Sequence, residues 1–336
     1  MGIILHCFQY GRGRSEKLES LCREVHYYDR PRGMKYFLSS IPYIINTRSN
    51  GDLLKKLLDD PYPVLFEGIH TTFLASHPDL SGKTLILRAH NIEHEYYKGL
   101  YKVEKKISKK MFFLTESVKL ERYEKKLNKK LIIAAISHTD ADYFRHGFTN
   151  VIHLPPFHPY EKLHCQPGLG DYILFHADLS VPENIASALY LAEKIFRKLP
   201  YKVIIAGKNP GSDLIQSVSQ FPGIKLIADP PENEMNELII NAQINLLHSF
   251  HSSGIKLKLI SALFNGRHCL VNPEMVYGSG LDDLCYITKD PPQTLTLIDR
   301  LMNLPFEFDE MEQRRNILSE NFSNIKNARI ILDIIK

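Results

Sequence analysis

A glycine and two lysines stand together at one turn of the chain. Gly254, Lys256 and Lys258 follow the apolar run 244–247 and open a helix-like segment that leads to a second apolar run, 268–271. This order predicts a strand, a turn, a helix and a strand, with the start of the helix at the edge of a sheet. A helix N-terminus attracts anions, and the lysines add positive charge. The sequence therefore predicts a phosphate site at this turn.

The densest group of reactive side chains lies at residues 88–97. His90, Asn91 and Glu93 follow an apolar strand predicted at 84–89. We therefore expect these side chains at the carboxyl end of that strand, where α/β proteins bind their ligands. A network that only caps the next helix is the structural alternative.

The same letters also fit a metal-binding pattern. His90, Glu93 and His94 match His-x-x-Glu-His, in which two histidines on one helical face bind zinc and the glutamate activates water. This zinc hydrolase alternative needs a helix at residue 90, where the preceding strand predicts a loop. We expect no metal site.

Further polar residues follow predicted strands, so they should reach the same edges. Glycines allow a close approach of backbone to ligand, and arginine pairs well with phosphate or carboxylate. An ordinary surface or capping role stays open for each. These residues are Gly11, Arg12 and Gly13 after strand 3–8, Glu67 and His70 at strand 64–67, His138 after strand 131–137, Lys208 after strand 203–206, Asp229 after strand 224–228, and Glu274 after strand 269–271.

Short apolar runs alternate with helical segments along most of the chain, which predicts parallel sheets covered by helices. The 336 residues suit two domains. We predict a Rossmann-like first domain of six strands at 1–158, a linker rich in Pro and Gly at 159–170, a second Rossmann-like domain at 171–308 and a helical tail at 309–336. We also predict one long helix over 102–129, and a capping box in which Ser180 and Glu183 start a helix.

Three segments carry a resemblance to a known family. Residues 254–266 resemble the Gly-x-Lys/Arg-Leu-Lys-x-Leu-Glu-Ala-Leu/Met-x-x-Gly signature of family 4 glycosyltransferases, which have the GT-B fold and use nucleotide sugars. Residues 88–97 resemble their Arg-x-His-Asn-x-Glu loop, and residues 176–184 resemble their Gly-x-Leu-Ser…Asn turn. One position departs from the signature: Ser261 stands where the family has the glutamate that usually holds the donor ribose.

The resemblance implies a GT-B fold whose last helix crosses back to the first domain. It implies transfer of a sugar from a nucleoside-diphosphate sugar to a hydroxyl of a lipid-linked or glycan acceptor, with retention at the anomeric carbon, in surface polysaccharide or glycan assembly. The nucleoside-diphosphate sugar is a substrate, and no cofactor is expected. A GT-B protein that binds nucleotide sugar without catalysis, as a partner of another transferase, is the alternative.

The resemblance also assigns roles to the residues named above. The expected catalytic residues are His90, Asn91 and Glu93. The donor phosphates are expected to bind Gly254, Lys256, Lys258, Lys208, Gly11 and Gly13, and the nucleoside is expected to bind Ser261, Asp229 and Glu274. The acceptor is expected to bind Arg12, Glu67, His70 and His138.

The charge of the chain is small but unevenly distributed. The net charge is +4, yet residues 98–130 hold twelve Lys or Arg and only four Glu. The simplest interpretation of this basic region is a helix face exposed to solvent. Because Met111, Phe112, Phe113 and Leu114 lie among the lysines, a surface that rests on anionic lipid is the second interpretation. No nucleic-acid module accompanies the basic region, so we expect no nucleic-acid partner, and we place the protein in the cytoplasm or at the inner face of the cell membrane.

Overall fold

The computed structural model describes residues 2–11 and 13–336, so Arg12 lies outside the described residues. The strands are β1 (Ile4–Gln9), β2 (Glu24–Asp29), β3 (Val64–Glu67), β4 (Leu85–Ala89), β5 (Ile132–Ala135), β6 (Val151–His153), β7 (Ile173–Asp178), β8 (Val203–Lys208), β9 (Ile224–Ala228), β10 (Ile244–Leu247), β11 (His268–Val271) and β12 (Tyr286–Ile287). All pairings between these strands are parallel.

Helices connect the strands and cover the sheets. They are α1 (Glu16–Leu21), α2 (Met34–Leu38), α3 (Tyr43–Asn46), α4 (Gly51–Asp59), α5 (Glu93–Val103), α6 (Ile107–Lys126), α7 (His138–Arg145), α8 (Pro182–Lys194), α9 (Ser212–Ser219), α10 (Glu232–Asn241), α11 (Leu257–Asn265), α12 (Pro273–Val276), α13 (Pro291–Leu301), α14 (Phe308–Asn321) and α15 (Asn324–Ile335). Short 3₁₀ turns lie at Ile69–Leu74, Pro78–Leu80, Phe196–Lys198 and Asp282–Leu284.

The second half of the chain forms one six-stranded sheet in the order β12-β11-β10-β7-β8-β9. Its central strands are apolar and buried on both faces, as parallel strands between two layers of helices must be. The strand order reverses between β7 and β10. Ligands of such sheets bind at this reversal, beyond the carboxyl ends of the strands.

The first half differs in one respect from the single sheet that we predicted. All six predicted strands form, but β1 pairs only with β2, while β3, β4, β5 and β6 form a separate sheet in that order. The pair β1–β2 includes His6, Gln9 and His26, and it lacks the continuous apolar sequence of a strand covered on both faces.

The helix predicted over 102–129 is present as α6 but begins later, at Ile107, and ends at Lys126; residues 102–103 instead end the separate helix α5. The break falls at Glu104, whose carboxylate accepts hydrogen bonds from the backbone N–H groups of Lys105 and Lys106 at 2.8 and 2.9 Å. A side chain that bonds to its own neighbouring backbone competes with the helix, so the chain leaves the helix there.

The tail also consists of two helices. Helix α14 stays on the second domain, where the guanidinium of Arg314 donates to the backbone carbonyls of Gly266 and Arg267. Helix α15 crosses back, because its isoleucines pack against Ile86, Ala134 and Leu154 of the first domain. The predicted return of the last helix is therefore confirmed, and it fastens the two domains together.

Candidate active site

The two domains meet at the glycine of the basic turn. Gly254 has a φ of +66°, which is a left-handed conformation, and an added Cβ would lie 2.1 Å from Oδ1 of Asn91 and 2.7 Å from the carbonyl oxygen of His90. Only glycine fits such a contact. The turn therefore touches the loop at residues 90–91 directly, and the site predicted from the lysines lies opposite the one predicted from the histidine loop.

The helix that follows this turn has free N–H groups. Helix α11 is preceded by Lys256, makes no side-chain cap and has no acidic residue in its first turn. The helix therefore supplies no anion of its own at its positive end, which leaves this end available to a ligand.

Both lysines of the turn are half-buried, and their ammonium groups donate to neutral acceptors. The ammonium of Lys256 donates to the carbonyl of Gly254 at 3.2 Å, and that of Lys258 donates to Oδ1 of Asn184 at 2.9 Å. Burial lowers the pKa of each lysine to about 8. Among the described residues neither ammonium lies within 4.0 Å of a carboxylate oxygen. A bound anion would stabilise both charges.

A carboxyl group of the first domain lies near Lys256. Asp140 is buried in the first turn of α7, and burial raises its pKa to about 6, although hydrogen bonds from Ser137 and Gly254 and the charge of Lys256 oppose this rise. One of its oxygens, Oδ2, has no hydrogen-bond partner. An unsatisfied buried carboxyl oxygen is costly, and such groups concentrate at functional sites.

A second carboxylate supports the turn from α8. Glu183 accepts hydrogen bonds from the Ser249 hydroxyl at 2.6 Å and the Phe250 backbone N–H at 2.9 Å, and its other oxygen lies 2.6 Å from Nε2 of His251. Burial opposes its ionisation, but His251 and the other donors lower the pKa of Glu183 to about 2. The ring of His251 in turn contacts Tyr96 of α5, edge to face at 5.2 Å.

On the first domain three predicted residues form one cluster. Glu67 accepts hydrogen bonds from Arg88 at 2.5 Å and from His90 at 2.9 Å, and the rings of His70 and His90 are 6.3 Å apart. Burial would raise the pKa of Glu67, but His90 and Arg88 lower it. The carboxylate thus fixes the orientation of the His90 imidazole.

Glu93 begins α5 next to this cluster. Burial raises its pKa to about 7, against the opposing influence of His90 and Asn91. A carboxyl group with a pKa near neutrality can both accept and donate a proton at physiological pH, which is the property of a general acid or base.

The zinc hydrolase alternative is wrong about local structure. The helix starts at Glu93, so His90 precedes it, and the buried ring of His94 lies between Glu95 and Glu124 at 3.3 and 3.8 Å. The two histidines therefore do not share a helical face. Within the described part of the chain, no three His, Cys, Asp or Glu side chains are grouped to hold a metal ion.

Two other predicted residues lie at neighbouring strand ends of the second domain. Lys208 is exposed at the end of β8, and Asp229 follows β9 with a φ of +51°. The carboxylate of Asp229 accepts a hydrogen bond from the backbone N–H of Asn209 at 2.7 Å. Asp229 thus holds the two strand ends together.

The remaining predicted residues have partners of their own. Ser261 accepts a hydrogen bond from the Tyr160 hydroxyl at 2.7 Å, Glu274 accepts one from Asn272 at 2.5 Å, and the ring of His138 lies 3.7 Å from that of His153. Gly11 and Gly13 both have positive φ and open space where a side chain would be. Their roles in binding stay predictions.

Sequence reasoning missed Glu183 and His251 as members of the site. The predicted capping box is wrong, because α8 starts after Val181 without a side-chain cap, and the Ser180 hydroxyl instead donates to Asp178. A glutamate at the third helical position fits a capping box equally well from sequence, and only tertiary contacts with residues 249–251 distinguish the two roles.

Known structures share this architecture. HepE of Anabaena, solved with UDP and glucose, has a TM-score of 0.62 at 12% identity, over 98% of this chain and 90% of its own. Sucrose-phosphate synthase of Thermosynechococcus elongatus has a TM-score of 0.66 at 11% identity, over 92% of this chain and 82% of its own. TarM has a TM-score of 0.61 at 14% sequence identity, and the match covers 85% of this chain but only 57% of the length of TarM. The chain has the GT-B fold of two Rossmann-like domains, as the resemblance implied.

One protein is similar to this chain in sequence. An uncharacterised 44.6 kDa protein in the cps region of Klebsiella pneumoniae is 28% identical over 283 residues, which are 78% of this chain and 71% of the relative. No protein-family model matches the chain.

Replacement of Gly254 tests the contact between the domains. We expect Gly254→Ala to lower the urea midpoint of unfolding more than Gly280→Ala does. Both glycines have nearly the same positive φ, of +66° and +68°, but only Gly254 has atoms where the Cβ would stand. The shared backbone strain costs about 1–2 kcal/mol, and the clash adds to it only at Gly254. Equal midpoints for the two variants would contradict the close contact.

The ionisation of Glu183 should make stability depend on pH. Because its pKa is lowered from 4.5 to about 2, its stabilising effect is complete above pH 4.5 and is lost as the pH falls towards 2. We expect Glu183→Gln to lower the free energy of unfolding at pH 7 by roughly 1–3 kcal/mol and to flatten its decline between pH 5 and 3. Urea unfolding at each pH measures this.

The control is Glu193→Gln, which changes an exposed glutamate on the same helix. Its pH profile should follow that of the wild type. A Glu183→Gln profile parallel to the wild type would show that the carboxylate is not held in its ionised form.

Proposed function

We propose that the protein is a glycosyltransferase that moves a sugar from a nucleoside-diphosphate sugar to a hydroxyl acceptor. One observation carries the proposal: a helix N-terminus with two half-buried lysines, neither of them in an ion pair with a carboxylate of the described residues, faces a carboxyl–imidazole cluster across a contact between two Rossmann-like domains. The GT-B fold and the known activities of proteins that have it support the same conclusion.

The second domain would hold the donor. Cleavage of the bond between sugar and diphosphate leaves negative charge on the departing phosphate. The N–H groups of α11, with Lys256 and Lys258, are positioned to stabilise that charge, which is commonly the largest contribution to catalysis. Asp229 and Lys208 at the ends of β9 and β8, with Ser261 and Glu274, are the proposed contacts of the nucleoside and the outer phosphate.

The first domain would hold the acceptor. His90, oriented by Glu67, and Glu93, with its pKa near 7, lie next to the loop that touches Gly254. We propose that they position the acceptor hydroxyl, with His70 and His138 as outer contacts, and that Asn91 fixes the turn. We propose a retaining reaction in which the departing phosphate itself takes the proton of the acceptor hydroxyl, so that the protein needs no strong base.

Nucleotide binding is the direct test. We expect Lys256→Gln to weaken the binding of UDP or GDP, measured by titration calorimetry, by about tenfold or more, because a charge-assisted bond to phosphate is worth about 1.5–3 kcal/mol. Lys225→Gln, an exposed lysine on β9, should bind like the wild type.

Each result of that titration has a clear meaning. Loss of binding in the Lys256 variant alone supports the donor site and identifies the base of the donor. Tight binding to wild type without any sugar transfer favours the alternative of a non-catalytic partner protein. Absence of nucleotide binding to wild type would refute the donor site.

The basic region 98–130 supports a location at a membrane surface. The structure corrects one part of the sequence interpretation: Phe112 and Phe113 pack against the core of the first domain and are not free to enter lipid. Met111 is exposed, however, and so are Ile107 of α6 and Leu38 of α2, at 79% and 81% of their surfaces. Helices α2 and α6 touch through Phe37 and Phe112, and we infer that these apolar side chains and the lysines share one side of the domain.

We propose that this side rests on anionic lipid at the inner face of the cell membrane, where a lipid-linked acceptor of surface polysaccharide assembly would be found. The relative in a cps region supports that setting. None of the described helices has the length and apolar composition to cross a bilayer, so contact with lipid would be peripheral.

Vesicle sedimentation tests the membrane contact. We expect the double variant Lys106→Glu, Lys109→Glu to bind phosphatidylserine-containing vesicles at least tenfold more weakly, since each basic residue near such a surface contributes about 1 kcal/mol. The matched control is Lys198→Glu, Lys225→Glu, which reverses two exposed charges of the second domain. Equal partitioning of both double variants would refute the proposal.

A further inference from the structure

Arginines collect on the first domain at the strand ends that face the cleft. Tyr10 directly follows β1, and Arg30 directly follows β2. The guanidinium carbons of Arg30 and Arg32 lie 4.1 and 4.8 Å from the centre of the Tyr10 ring. Since β1 and β2 are parallel neighbours, both arginines stand at the carboxyl edge of this sheet, the edge at which α/β proteins bind ligands.

A third arginine completes the group. Arg48 follows α3, and its guanidinium donates to the backbone carbonyl of Ile44, while Arg30 donates to the hydroxyl of the adjacent Thr47 at 2.7 Å. Burial, together with the nearby charge of Arg30, lowers the pKa of Arg48 to about 10. These contacts fix the two guanidinium groups close to each other, although their charges repel.

None of these three arginines forms an ion pair with a carboxylate of the described residues. Within residues 2–11 and 13–336, no carboxylate oxygen lies within 4.0 Å of Arg30, Arg32 or Arg48, whereas Arg14 and Arg88 each pair with a glutamate. The Nε of Arg30 is buried and has no hydrogen-bond partner. Converging, partly buried guanidinium groups with unused donors favour a bound anion, because guanidinium matches the planar geometry of carboxylate and phosphate oxygens.

The arginine group adjoins the catalytic side of the cleft. Burial and the charges of Arg48 and Arg30 lower the pKa of His70 to about 3, and the charge of Glu93 acts on Arg48. The group therefore lies beside the His70, His90 and Glu93 cluster. It is separate from the Gly254 turn, which belongs to the other domain.

We propose that Arg30, Arg32 and Arg48 bind an anionic group, a phosphate or a carboxylate, on the acceptor. Assignment of the anion to the acceptor rests on the proposed function, since the donor phosphates occupy the lysine turn. The acceptor is then a phosphorylated or an acidic saccharide, and the arginines set the distance between its anionic group and the hydroxyl that His90 and Glu93 position.

Titration calorimetry with two simple probes tests the site. Inorganic pyrophosphate represents a phosphorylated acceptor, and glucuronate represents an acidic sugar. The variants are Arg30→Gln, Arg32→Gln and Arg48→Gln, and the control is Arg145→Gln, an exposed arginine of α7 in the same domain. Lys256→Gln removes the lysine of the donor turn. Arg32 is exposed, so its variant should fold even if the buried ones do not.

We expect at least one probe to bind wild type and to bind each arginine variant about tenfold or more weakly, while Arg145→Gln and Lys256→Gln leave a binding event of unchanged affinity. The probe that binds more tightly shows whether the site prefers a phosphate or a carboxylate. Binding that Lys256→Gln alone abolishes, binding that all three arginine variants retain, or failure of both probes to bind wild type would overturn the site. Because UDP is titrated separately, loss of the donor site alone leaves this result intact.

Discussion

The close contact between Gly254 and the loop at residues 90–91 fixes the geometry of the whole cleft. A side chain at position 254 would overlap a backbone carbonyl, so the two domains reach this distance only through glycine. The contact brings the N-terminus of α11 against the loop that carries His90 and Glu93. The proposed donor and acceptor sites of the two domains are thereby held next to each other.

Burial at this contact strengthens the electrostatic interactions of its charged groups. Asp140 and Glu183 are buried and Lys256 and Lys258 are half-buried, and each of the four groups has a shifted pKa that follows from its surroundings. Electrostatic interactions are stronger where water is absent, so the same few groups can bind an anion tightly and stabilise charge that develops during a reaction. A partially open cleft would lose this advantage, which explains why α15 also ties the domains together.

The cleft has two cationic regions of different chemistry. Lysines and helix N–H groups line the second domain, whereas arginines with planar donors line the first. Lysine supplies a compact charge suited to a phosphate whose charge changes during the reaction, and arginine supplies directional recognition. In the proposed reaction this arrangement separates the stabilisation of a leaving group from the recognition of a second substrate.

The sequence by itself determined the strands, the alternation that makes two parallel-sheet domains, and the basic turn, because hydrophobic periodicity and glycine chemistry are local. It also placed His90 and Glu93 at a strand end. Only the tertiary structure decided that β1 and β2 stand apart from β3, that Glu183 holds His251 instead of capping a helix, and that Arg30 and Arg48 converge. Such contacts join residues distant in the chain, and no local pattern specifies which partner a buried charge finds.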